Sequence, residues 1–152
     1  MTRNELIAQL KNYFDIKELV CKHTFMTFGE TSWQFFDRDF LEMLLVLRRD
    51  IVKVPMTVNN WATGGPLSQR GFRCNICQLV KDKTVKNQIY LTSHANGAAI
   101  DFDAHGITAE QTRQLIKKNS NLLPVNVRCE AGVSWVHIDI YDNGQKYSEF
   151  KG

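Results

Sequence analysis

Three short stretches of this chain alternate strictly between apolar and polar residues, and that alternation constrains its fold more than any other feature. Over residues 98–103, Ile100 and Phe102 point one way while Ala99, Asp101 and Asp103 point the other. Over 125–130, Val125, Val127 and Cys129 alternate with Asn126, Arg128 and Glu130. Over 135–140, Val136, Ile138 and Ile140 alternate with Trp135, His137 and Asp139. A period of two is the signature of a strand with one buried face. Each stretch therefore predicts a strand whose apolar face packs on a core and whose polar face looks outward or into a cleft. Residues 56–60 read as a further short strand.

Helical periodicity lies between and before these strands. Residues 4–12 place Leu6, Ile7 and Leu10 on one face. Residues 37–50 are the clearest helix: Asp37 can cap it, and Phe40, Leu41, Leu44, Leu45 and Leu47 form a broad apolar stripe. Thr108-Ala109-Glu110-Gln111 is a capping box opening a helix that runs to about residue 119. Residues 13–32 look irregular, and the polar stretch 81–86 reads as a solvated loop. Helices and antiparallel strands in this order predict an α+β fold, with an antiparallel sheet and helices packed on one side.

Length sets the scale of that fold. The 152 residues make one domain (1–152), with an N-terminal helical segment over about 1–35. Such a chain buries about 70% of its unfolded surface and needs no disulfides to hold a core. With 43% hydrophobic and 23% charged residues it is neither disordered nor collagenous. No apolar run approaches the ~18 residues of a membrane helix, so no membrane insertion is expected. Met1-Thr2-Arg3-Asn4 leads into no signal-peptide core, and no Sec-type export is expected. The net charge of +3 is spread along the chain without a basic run, which argues against a nucleic-acid partner. The sequence is silent on oligomeric state. Cys21, Cys74, Cys77 and Cys129 read as free thiols. Cys74-x-x-Cys77, with Cys21 and Cys129 elsewhere, could form a structural zinc site, but with only one Cys-x-x-Cys pair, buried thiols are the simpler reading.

The chemistry lies on the polar strand faces. Asp101 shares one with Asp103, and His137 shares another with Asp139. His94 precedes the Asp101 strand in Ser93-His94-Ala95-Asn96-Gly97-Ala98-Ala99-Ile100-Asp101. Two histidines and one carboxylate make a catalytic zinc set, with a fourth position left for water. The spacing is neither that of a His-Glu-x-x-His helix nor that of a zinc finger.

Ser93-His94-x-x-Gly97-x-Ala99-x-Asp101, followed by Trp135-Val136-His137-Ile138-Asp139, resembles the M15 family of zinc peptidases. That family includes D-alanyl-D-alanine carboxypeptidases, dipeptidases and phage endolysins, and it shares its fold with the Hedgehog signalling domain. The resemblance covers roughly residues 36–141, with Arg70-Gly71-Phe72-Arg73 in the place of the family's Gly-aromatic-Arg turn. The motifs look most like the small phage-type members. The resemblance implies zinc held by His94, Asp101 and His137. It also implies hydrolysis of peptidoglycan stem peptides, at either D-Ala-D-Ala or L-Ala-D-Glu bonds. A phage lysin would act in the wall after release from the host cytoplasm; a virion-associated part would meet the wall from outside. The alternative is an inactive wall-binding or virion structural module with the same fold.

The resemblance also implies a glutamate base shortly before the last histidine, three residues before it in many members. Ser134 stands there, and the nearest glutamate is Glu130. A two-residue turn at Ala131-Gly132 would hold Glu130 about 13 Å from His137, too far to serve as a base. A four-residue turn would pair Glu130 with Trp135, about 7 Å away along the strand, and is preferred. Asp139 is the fallback base; its other reading is a partner that orients a ligand. Arg73, and secondarily Arg70, are expected to grip substrate, because a guanidinium can hold a carboxylate with two hydrogen bonds. Ser93 is expected on the substrate side. Small Gly97 and Ala99 are expected to let the backbone come close to the metal. Trp33, Phe35 and Phe36 read as core, His105 as surface, and Trp61 and Trp135 as possible cleft walls.

Overall fold

The alternating stretches form strands whose polar faces coincide. A computed structural model describes residues 1–152. Four helices precede the first strand: α1 (Arg3–Leu10), α2 (Ile16–Leu19), α3 (Lys22–Phe28) and α4 (Arg38–Val46). A 3-10 stretch, Gly29–Phe35, leads from α3 towards α4, and a π-helical stretch, Leu47–Val52, continues α4. Then come β1 (Met56–Thr57), α5 (Gln78–Val85), β2 (Ala99–Ala104), α6 (Ala109–Lys118), β3 (Val127–Glu130), β4 (Val136–Asp139) and β5 (Tyr147–Phe150).

Caps set the helix starts. Asp37 accepts from the backbone N–H groups of Asp39 and Phe40 at 2.8 and 3.2 Å, opening α4. The expected helix over 37–50 loses its regular winding after Val46 and ends where Lys53 turns left-handed, at φ 63°, ahead of Pro55. Thr108 and Gln111 close the expected capping box on α6. Two further boxes form, Thr2 with Glu5 on α1 and Asp15 with Glu18, which opens α2 inside the stretch read as irregular. All of the stretch 81–86 but its last residue lies in a helix rather than a loop: α5 forms, yet none of its residues is buried.

The strands join one five-stranded sheet in the order β1-β2-β4-β3-β5. Neighbours are antiparallel except β3 and β5, which are parallel, so the sheet is mixed rather than antiparallel. Strand β5 was not expected, because Tyr147-Ser148-Glu149-Phe150 has no apolar face and buries Ser148. The strand expected over 56–60 stops at Thr57, because Asn59 and Asn60 spend their side chains on the backbone of Val20, Leu67 and Arg70. In β2 and β4, Ile100 pairs with Ile138 and Phe102 with Val136. These four share one core with Leu6, Phe36, Leu44 and Ile116 from the helical layer, and with Cys129 of β3. Asp101 pairs with His137 on the opposite face.

Candidate metal centre

Register alone brings two site residues together. Residues directly opposite in an antiparallel pair share a face and hold their Cβ atoms about 4.5–5.5 Å apart. His137 Nδ1 thus lies 2.8 Å from Asp101 Oδ1. His94 arrives from the loop before β2, with Nε2 3.3 Å from the same Asp101 oxygen and 3.3 Å from His137 Nδ1. All three residues are buried, at 3–8% exposure.

That loop is fixed by Gly97. Its φ is 67°, and a Cβ there would lie 2.0 Å from the Phe35 carbonyl oxygen. The expectation that Gly97 clears space beside a metal is therefore corrected: its missing side chain admits the Phe35–Phe36 backbone. Its own carbonyl accepts from the Asp37 N–H at 3.0 Å, tying the loop to the start of α4. Ala99 sits fully buried opposite Asp139.

Each histidine ring is oriented from outside. His94 Nδ1 donates to the Gly71 carbonyl at 3.0 Å, and His137 Nε2 to Asp139 Oδ2 at 2.8 Å. With the outer nitrogens carrying the protons, the neutral rings turn bare His94 Nε2 and His137 Nδ1 toward Asp101. Three electron-pair donors then face one another in a buried space, which calls for a shared proton or a metal cation among them. A tetrahedral zinc with bonds of about 2.0–2.1 Å spaces such donors about 3.3 Å apart. Two of the three separations equal that, and the third is a hydrogen-bond length that a proton satisfies when no metal is bound. The donor set fits zinc.

The electrostatics follow from the same contacts. Burial would raise the Asp101 carboxyl, but hydrogen bonds and charge from His137 and His94 outweigh it and hold the group well below the usual carboxylate range. Burial would lower His137; the hydrogen bonds to Asp101 and Asp139, with their charges, lift it to about 9. Burial likewise opposes Asp139 ionisation, and His137 and Arg128 overcome it.

Asp139 is fully engaged. It is completely buried and takes hydrogen bonds from His137, from Arg128 at 3.2 and 3.0 Å, and from the Tyr141 N–H at 3.1 Å. This is the geometry of a group that orients a ligand. Arg128 in turn stacks over the rings of Phe150 and Tyr141, 4.0 and 4.5 Å from their centroids. Phe150 packs edge-on against His137, 5.5 Å between ring centres.

The β3–β4 register brings Glu130 into line with His137 rather than with Trp135. Arg128 pairs with Asp139 and Cys129 with Ile138. Continued by one residue, this register puts Glu130 opposite His137, so the expected pairing with Trp135 is corrected. The connection is longer than four residues because Arg113 holds it open: Nη1 and Nη2 donate to the Trp135 and Val133 carbonyls at 3.0 and 3.1 Å. The Glu130 carboxylate itself turns to the chain end, where a Cβ added to Gly152 would meet Oε1 at 2.2 Å.

Arg73 and Arg70 divide their work. Arg73 is 8% exposed, donates from Nε to the Gln69 carbonyl at 2.6 Å, and lies 3.4 Å from Asp101 Oδ2 and from the Tyr90 hydroxyl. Arg70 pairs with the exposed Asp103 at 2.9 Å, farther along the same face. Ser93 is half-buried, and its carbonyl closes the loop by accepting from the Ala98 N–H at 2.9 Å. Trp33 and Phe36 are core, and His105 is exposed. Trp61 donates from its indole to the Val20 carbonyl at 3.0 Å.

Sequence reading missed Tyr90, Arg113, Arg128 and Phe150, none of which carries a motif, and took Gly71 only as part of the family-like turn, not for the carbonyl that holds His94. It also missed His23: of the weak structural-zinc candidates, Cys21 meets Cys74 and Cys77 while Cys129 lies buried in β3, and His23 completes four donors in one cluster that could hold a metal ion. Comparison with known protein families, with characterised proteins and with solved structures finds no match.

Proposed function

We propose that this chain is a zinc-dependent peptidase that cleaves peptidoglycan stem peptides, of the phage-associated type its motifs resemble and with that family's Hedgehog-like fold. One observation carries the reading. Two buried imidazoles, each held by its outer nitrogen, converge with Asp101 on a single point, with two of the three donor separations at zinc-like spacing. His94, Asp101 and His137 hold the metal; when bound, zinc supplies a Lewis acid that makes a water nucleophilic near neutral pH and polarises the scissile carbonyl.

The chain's own residues do the rest. Glu130, across from His137, takes the proton of the attacking water and passes it to the leaving amine. Asp139 and Arg128 keep His137 in one tautomer. Arg73 holds the second oxygen of Asp101 and offers its remaining donors to a substrate carboxylate. Arg70 brings a second positive charge at the open edge, where Asp103 can be exchanged for substrate. Ser93 borders the substrate side of His94.

The deciding experiment digests purified peptidoglycan with zinc-loaded protein and identifies the new termini by mass spectrometry. New D-Ala carboxyl ends or new D-Glu amino ends name the bond. A second reading, an inactive wall-binding or virion module, is favoured by one feature: Ser134 stands where many of the family's members have their base, and the Glu130 carboxylate rests against Gly152. Wall binding without new termini, from protein that holds its zinc, supports that reading instead.

A further inference from the structure

A second donor cluster lies outside this centre. Cys21 and His23 sit at the start of α3, while Cys74 and Cys77 frame the turn that enters α5. Cys74 Sγ is 3.8 Å from Cys77 Sγ and 3.6 Å from His23 Nδ1, and Cys77 Sγ is 3.7 Å from the same nitrogen. The donor atoms of all four residues lie within 4.8 Å of one another. Tetrahedral zinc, with bonds of about 2.3 Å to sulfur and 2.0–2.1 Å to nitrogen, places its donors about 3.5–3.8 Å apart. A disulfide would need about 2.05 Å between sulfurs and would give His23 no part.

The surroundings ask for such a link. From Cys74 to Thr92, Cys77 is the only buried residue. Helix α5 has no buried residue, and Ile76, Leu79, Val85, Ile89 and Leu91 are all exposed. Apolar packing therefore does not anchor this excursion. Its root nevertheless carries Gly71, whose carbonyl orients His94, and Arg73, which reaches Asp101. Backbone bonds already lay that root on the N-terminal segment: Phe72 N–H to the Leu19 carbonyl at 2.8 Å and Cys21 N–H to the Phe72 carbonyl at 3.1 Å.

We propose that Cys21, His23, Cys74 and Cys77 form a second, structural zinc site that clamps the 70–77 turn to the N-terminal helices. Four protein donors leave no position for substrate, so the site is closed and non-catalytic. Its existence does not rest on the function assigned to His94, Asp101 and His137.

Cobalt substitution of the full-length protein, purified under reducing conditions, tests it. Only the cysteine site offers thiolates, so wild-type protein loaded with cobalt(II) should show intense sulfur-to-cobalt charge-transfer absorption in the near ultraviolet. Zinc content should be two per chain in the wild type and one in both His94→Ala and Cys74→Ser. The charge-transfer band should persist in His94→Ala and fall by at least half in Cys74→Ser. Cys77→Ser should abolish it; if that buried variant does not fold, the half-buried Cys74 position decides alone. A wild-type protein without the band, or a Cys74→Ser variant with unchanged band and metal count, overturns the proposal. A wild type showing the band with one metal, unaffected by His94→Ala, sustains this site and overturns the other.

Discussion

At the scale of single residues, the roles proposed for Glu130 and Asp139 are separable by experiment. Glu130→Gln keeps shape but cannot take a proton. It should bind zinc normally and lose about 10²–10⁴ in hydrolysis rate, read from turnover against metal content. Asp139→Asn removes the charge that holds His137 Nε2 and faces Arg128. It should weaken zinc affinity about 10–100-fold, read by competition with a chelator. Loss of activity with zinc retained in Asp139→Asn, beside a fully active Glu130→Gln, would make Asp139 the base. Cys129 gives a third test. Burial, the main cause, pushes its thiol up to about 12. The thiolate is the reactive form, so at pH 8 Cys129 should resist iodoacetamide in the folded protein and react once unfolded, as mapped by peptide mass spectrometry. Labelling at equal rates in both states would contradict its burial. The shared face of Asp101 and His137 was legible because strand alternation sets side-chain direction, while His94, in the loop before β2, was picked out by the motif that resembles the M15 family. Arg128 and Phe150 were not, because their positions depend on which strands neighbour β3, and alternation does not specify neighbours.

At the scale of elements, the loop between β3 and β4 decides where Glu130 sits. The preferred four-residue turn, Ala131 to Ser134, contains Gly132, which takes a positive φ of 77°. The connection is longer than that reading because its brace comes from α6, far away in sequence. Arg113 is 3% exposed and bonds Glu110, Val133 and Trp135. Arg113→Ala strands two carbonyls and should destabilise the domain by about 1–3 kcal/mol, measured by urea unfolding. The same variant should slow turnover while zinc content holds, since the loop no longer sets Glu130 against His137. Unchanged stability would mean that water replaces the guanidinium without cost. Helix α4 and helix α6 were legible from caps and apolar stripes. Helix α5 was not, because a helix that buries nothing carries no apolar stripe to detect.

At the scale of the whole molecule, alternation and periodicity foretold an α+β chain with a polar strand face. They did not foretell the parallel β5, whose place comes from pairing with β3 rather than from any apolar face of its own. The excursion between Cys77 and Thr92 has a further consequence. It leaves and re-enters the body at one root, with the cysteine cluster on the way out and Tyr90 beside Arg73 on the way back. Lys81, Lys83 and Lys86 lie exposed between those points. Brief trypsin treatment should cut there first and yield two fragments, visible on a denaturing gel, that still elute together on a sizing column, because β1–β2 pairing and the shared core span the break. Fragments that separate would show that the excursion carries structural weight its burial does not reveal. Fragments that stay together would make this segment the place where the chain tolerates change: sequence can be lengthened, shortened or exchanged there while the two halves go on holding one another.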